Sequence, residues 1–181
     1  RIGEGWQERG GFEGFNHHVL EVAAKFAHVQ VHPEVWLTCR PKSSAATHLY
    51  LKAVQIALES AAETKESAND NQVKFEQFVW RVRLAFFQDN RDIAELRVLN
   101  ELARDNGLPL DLINASLDSG TAMAAFCKDI ALKESQNIEG SPTFSLNEGR
   151  QKLYGNVGYR ILEANIQEVL DVGQKPGASW C

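Results

Sequence analysis

Long apolar runs are missing from this chain of 181 residues, and no stretch approaches the roughly 20 consecutive apolar residues that a membrane-spanning helix needs. Basic runs are missing too. Lysine and arginine total 19 against 24 aspartates and glutamates, and the net charge of -5 leaves no cationic patch for a polyanion. Neither nucleic acid nor membrane is therefore expected as a partner. Cysteine is scarce: Cys39, Cys127 and Cys181 lie far apart and form no CxxC, zinc-type pattern or disulfide framework. Three widely spaced cysteines, with no basic-then-apolar leader, favour a reducing compartment, so a cytoplasmic location is expected.

What is present is ordinary for a globular protein. Hydrophobic residues make up 44% and charged residues 24%, and a chain of this length can bury a core without disulfide staples. Residues 1–15, "RIGEGWQERGGFEGF", are glycine-rich and read as irregular. Asn16 then stands as an N-cap before Val19, Val22, Ala23 and Phe26 at helical spacing. A helix capped by Ser43 or Ser44 is expected to present Ala46, Leu49, Tyr50, Ala53, Val54 and Ala57. "ETKESANDNQ" reads as a polar break, followed by a helix with Phe75, Phe78, Val79, Val82 and Phe86 on one face. Ile93, Leu96, Leu99 and Leu102 belong to the next helix, closed by Asn106-Gly107. Two more follow: a short one ending at Gly120, and one with Met123, Phe126, Cys127 and Ile130 along a face.

The pattern then changes. In "IEGSPTF", residues 138–144, Pro142 is a poor opening for a central strand, because it has no N–H and restricts Ser141. It suits a cis Ser141–Pro142 bond whose kink presents backbone polar groups to a ligand. "TFSLNEGRQKLYG" reads as a β-hairpin around Asn147-Glu148-Gly149, followed by a helix through Ile161, Leu162, Ile166, Val169 and Leu170. "GQKPGASWC" reads as a loop-like tail. The expected division is 1–137 for the irregular segment and helices, 138–172 for hairpin and closing helix, and 173–181 for the tail.

"IEGSPTFSLNEGRQKLYGNVGYRILEANIQEVL" resembles the C-terminal half of the DsbA-like branch of the thioredoxin superfamily, and the helices before it resemble that branch's insertion. The resemblance covers roughly residues 44–170 and includes the 2-hydroxychromene-2-carboxylate isomerase relatives. It implies a mostly helical α/β protein, thioredoxin-like, with a large helical insertion and only the C-terminal β-β-α half visible. The departure is large, since no strand-CxxC-helix stands before residue 16. Two explanations are open: the leading β-α-β unit with its CxxC lies upstream of Arg1, or a reduced variant completes its sheet with a partner chain, as in a homodimer.

The resemblance implies a thiol-disulfide oxidoreductase in which Gly140, Ser141 and Pro142 dock the thiol or disulfide substrate, protein or glutathione. No catalytic residue is identifiable within the chain. The alternatives are a glutathione-dependent isomerase or transferase, and a non-catalytic binding module; enzyme status is open between them. No cofactor is expected, with glutathione only as a cosubstrate.

Cys39 reads first as a bystander, although Arg40 and Lys42 beside it would lower its pKa. Cys181, at the chain end, is the other candidate accessory thiol. Cys127, among apolar neighbours, is expected to be buried and inert. His28 and His32 are four apart, but the valines and Pro33 between and beside them argue against a helix, so no metal site is expected. Trp6, Trp36 and Trp80 read as core or lid residues.

Overall fold

Apolar residues recurring at three and four along successive segments build a helical layer, and a single hairpin follows it. The computed structural model describes residues 2, 3, 5–62 and 64–172. Its contacts divide the chain into two units, Arg1–Cys127 and Lys128–Cys181. The helices are α1 (Gly11–Ala23), α2 (Ala45–Ser60), α3 (Lys65–Phe87), α4 (Leu96–Asp105), α5 (Leu110–Asp118), α6 (Thr121–Ser135) and α7 (Tyr159–Val172). The strands are β1 (Thr143–Leu146) and β2 (Gln151–Tyr154). This is a mostly helical α/β protein with a small two-stranded sheet.

In the first unit, α2 packs against α3, α4 and α5. Tyr50, Ala53, Val54 and Ala57 of α2 meet Phe78 and Val82 of α3, Leu99 and Leu102 of α4, and Ile113 of α5. Each large apolar side chain fully buried here contributes about 1.5–3 kcal/mol before entropy is counted. The expected stripe on α2 holds from Leu49 to Ala57 and departs only at its start. Ala46 is exposed, and Thr47 is buried, its hydroxyl donating to the Ile93 carbonyl at 2.8 Å. A second cluster holds Val35, Trp36, Cys39 and Phe86, with Trp6, Phe12 and Phe15 packed on it.

Several expectations are corrected. The segment 1–15 is not all irregular: a 3-10 turn at Gln7–Arg9 leads into α1, which starts at Gly11, and Asn16 sits inside the helix. There Asn16 is buried and donates from Nδ2 to the Pro33 carbonyl at 3.1 Å. Aromatic packing overrides the weak helix propensity of glycine here: Trp6 stacks on Phe15 at 3.9 Å and meets Trp36 edge-on at 5.2 Å. Gly14 is required by a close approach, since a Cβ there would lie 2.1 Å from the Arg9 carbonyl oxygen.

The polar break is in fact the start of α3. Thr64 and Ser67 form a capping box, and Asn71 donates to the Leu58 carbonyl at 2.8 Å, so a polar stretch becomes helical through its cap and one tertiary bond. Leu96 opens α4 and is half exposed, while Ile93 precedes the helix. Trp80 lies 59% exposed on α3, outside the core. The expected boundary at 137/138 falls after α6, whereas the observed division falls inside that helix. Of α6, only Ala122, near its start, is buried in the first unit's core.

In the second unit, β1 and β2 are antiparallel, pairing Thr143 with Tyr154 and Leu146 with Gln151. The turn runs through left-handed backbone at Asn147 (φ 51°), Glu148 (φ 55°) and Gly149 (φ 90°). Asparagine and glycine suit that region; a glutamate there is strained. No described residue from 128 onward is buried to core level.

Candidate functional site

The loop between α6 and β1 is shaped by how α6 ends. Asn137 takes left-handed φ of 50°, and the Ile138 N–H donates to the Lys133 carbonyl at 3.0 Å, which closes the helix and turns the chain. The Lys152 ammonium on β2 donates to the Gln136 carbonyl, tying that end to the hairpin. Gly140, Ser141 and Pro142 follow, all exposed. The Ser141–Pro142 peptide is cis.

Two hydrogen bonds hold this loop. The Thr143 hydroxyl donates back to the Gly140 carbonyl at 2.6 Å, and the Gly155 N–H donates to the Pro142 carbonyl at 2.9 Å. Among the described residues, the backbone N–H and C=O of Ser141 have no partner. An exposed donor and acceptor on one residue, beside the start of a strand, can pair with an extended backbone. Tyr154, across from Thr143 in the ladder, is 55% exposed and offers an aromatic surface next to it. Thr143 and Gly155 were not legible as loop supports. Their signal was Thr143 three residues after Gly140, and Gly155 directly after the strand that pairs with Thr143.

The thiols stand differently from expectation. Cys39 is only 6% exposed, and its pKa is pushed up to about 11, first by burial and then by the carboxylates of Asp92 and Glu95. The lowering expected from Arg40 and Lys42 is absent: Arg40 instead lies over the Phe12 ring at 4.6 Å and donates to the Trp36 carbonyl. Such a thiol is a poor nucleophile, in keeping with a bystander. Cys127 is exposed rather than buried, because α6 turns Met123, Cys127 and Ile130 toward solvent. Cys181 lies outside the described residues. Among the described residues, no group of three or more His, Cys, Asp or Glu side chains gathers as a metal site, and His32 Nδ1 accepts from the Glu34 N–H at 3.1 Å. None of the described helices is long and apolar enough to cross a membrane.

A model of the thioredoxin family matches residues 20–164, spanning the end of α1, the helices α2 to α6, the Gly140–Pro142 loop, the hairpin and the start of α7. The crystal structure of a candidate protein disulfide isomerase from Nitrosomonas europaea superposes with a TM-score of 0.60 at 19% identity, over 90% of this chain and 72% of that one. That likeness shows the fold. The ClpXP adapter protein SpxH of Bacillus licheniformis is 28% identical over 151 residues, covering 79% of this chain and 50% of that protein. The chain thus spans about half the length of the curated relative it matches. With the family model covering most of the chain and the fold agreeing, this chain belongs to the thioredoxin family.

Proposed function

We propose that this chain supplies the substrate-docking half of a DsbA-like thiol-disulfide oxidoreductase, with Gly140, Ser141 and Pro142 as the docking loop. The observation that carries it is the exposed, unpartnered backbone of Ser141, held in place by Thr143 and Gly155. A substrate segment beside a disulfide would pair with that N–H and C=O as an added strand. Exchange itself needs a thiolate that attacks one substrate sulfur, forms a mixed disulfide and releases the other sulfur as a thiolate. The 181 residues contain no CxxC to do this. In this proposal the exchanging pair is supplied from outside them, and the described chain positions the disulfide.

A second reading is favoured by the same absence together with the adapter named among the relatives: a binding module without thiol turnover. Amide NMR of the full chain separates the two. Titration with a disulfide-bridged peptide, and separately with oxidised glutathione, is expected to shift the amides of Ser141, Thr143, Tyr154 and Gly155. A response to the peptide alone supports a protein substrate, and a response to glutathione alone supports a glutathione-dependent isomerase or transferase. Thr143→Val is expected to weaken the responding ligand about fivefold, the equivalent of ~1 kcal/mol for one lost hydrogen bond. If neither ligand moves these amides, the docking proposal fails and the binding-module reading stands.

A further inference from the structure

The first unit holds a recess. It lies between α1, the segment after it and α3, with a cavity volume of about 550 Å³. Sites for small ligands are of this size, roughly 300–1,000 Å³, apolar with a few placed polar groups. The walls are Val22, Phe26, Val29, Trp80, Leu84 and Phe87. Four of these side chains are well exposed, Trp80 at 59%, Phe26 at 50%, Val29 at 42% and Val22 at 39%.

The charge on the walls is one-sided. No aspartate or glutamate lines the recess, and Arg83 supplies its full positive charge, with His28 beside it. Arg81, two residues earlier on α3, is paired with Asp89 at 2.8 Å. Arg83 has no ion pair or hydrogen bond among the described residues. An apolar hollow with one unpaired guanidinium complements a molecule with an apolar body and one anionic group. The planar fork of arginine matches a carboxylate in two parallel hydrogen bonds.

We propose that this recess binds a small aliphatic carboxylate, its chain against Phe26, Trp80 and Phe87 and its carboxylate on Arg83. The recess is compact and carries one cation, which suits a single short-chain amphiphile better than a peptide with charges along its length.

Decanoate, kept well below its micelle concentration, is the probe, with decanol and decylamine as uncharged and cationic partners of the same chain length. Binding to the full chain is read by the change in tryptophan fluorescence, with Trp80→Phe assigning the signal. The expected result is saturable one-to-one binding of decanoate, weaker binding of decanol and weaker still of decylamine. Arg83→Gln, at an exposed position, is expected to weaken decanoate about fivefold while leaving decanol unchanged. Equal binding of all three, or no effect of Arg83→Gln, overturns the proposal. So does no binding, and so does sedimentation showing a self-association that shields Trp80, which would assign the recess to a second copy of the chain.

Discussion

Two buried acids show how single residues couple this fold to pH. Cys39 is raised from 9.0 to about 11 by burial first, then by Asp92 and Glu95. Tyr50 is raised from 10.0 to about 12 by burial, against the opposing pull of Arg104, and its hydroxyl donates to Asn100 at 2.8 Å. In both cases the folded state keeps the proton longer than the unfolded chain does. Their contribution is therefore intact below the unfolded pKa and is lost as pH climbs toward the folded one. For Cys39 that window runs from pH 9 to about 11, and for Tyr50 from 10 to about 12. Urea titrations from pH 8 to 11 should show stability falling above pH 9, by at most about 1.4 kcal/mol per pH unit for each group. Cys39→Ala will be less stable at pH 8 because it loses buried volume, but its decline between pH 9 and 10 should be shallower. Identical slopes in the two proteins would mean that the Cys39 thiol is not shifted by its surroundings.

At the scale of elements, α3 is where local chemistry decides what the hydrophobic pattern cannot. Its first turns are polar, so apolar periodicity begins only at Phe75 and places a break at 63–72. The start is instead set by the Thr64 and Ser67 box, in which the Ser67 N–H donates to Thr64 Oγ1 at 3.1 Å and the Thr64 N–H donates to Ser67 Oγ at 2.9 Å. Thr64→Ala removes one half of it and should cost about 1 kcal/mol by urea unfolding, with Thr64→Ser close to wild type. A loss no larger than that of an exposed alanine substitution elsewhere on α3 would show that the cap does not hold the start. Where one periodic stripe faces one core, as in Phe78 and Val82, or where a turn triplet stands between short apolar runs, as at Asn147–Gly149, the element was legible in the sequence. Where burial depends on another segment, as for Asn16 against Pro33 or Cys39 against Asp92 and Glu95, it was not. The docking loop lies between these cases. Its residues could be named from "GSPTF", but the bonds from Thr143 and Gly155 depend on the register of β1 and β2.

The whole molecule is uneven in how its parts are stabilised. Among the described residues, every one buried to core level lies between Asn16 and Ala122, where α2 gathers α3, α4 and α5 around Tyr50, Phe78, Leu99 and Ile113. The second unit has two short strands, no described side chain buried to core level, and Tyr154, Tyr159, Ile161, Ile166 and Leu170 about half exposed or more. A two-stranded hairpin is marginal in water without a wider sheet or a helix to cover it. Local opening free energies follow buried apolar contact, so the two units should not open together. Hydrogen exchange read by mass spectrometry should show peptides from α2, α3 and α4 as the slowest. Peptides covering β1, β2 and α7 should exchange orders of magnitude sooner under the same conditions. Tryptophan fluorescence of a Trp180→Phe variant, which keeps Trp6, Trp36 and Trp80, all in the first unit, should then report a later denaturant transition than the loss of hairpin protection. A disulfide-bridged peptide that docks at Ser141 would add a strand to the hairpin and slow its exchange selectively, leaving the first unit unchanged. If the hairpin is instead as protected as α2 in the protein alone, its exposed apolar residues are covered in solution by a second copy. Protection that falls on dilution would identify that dimer.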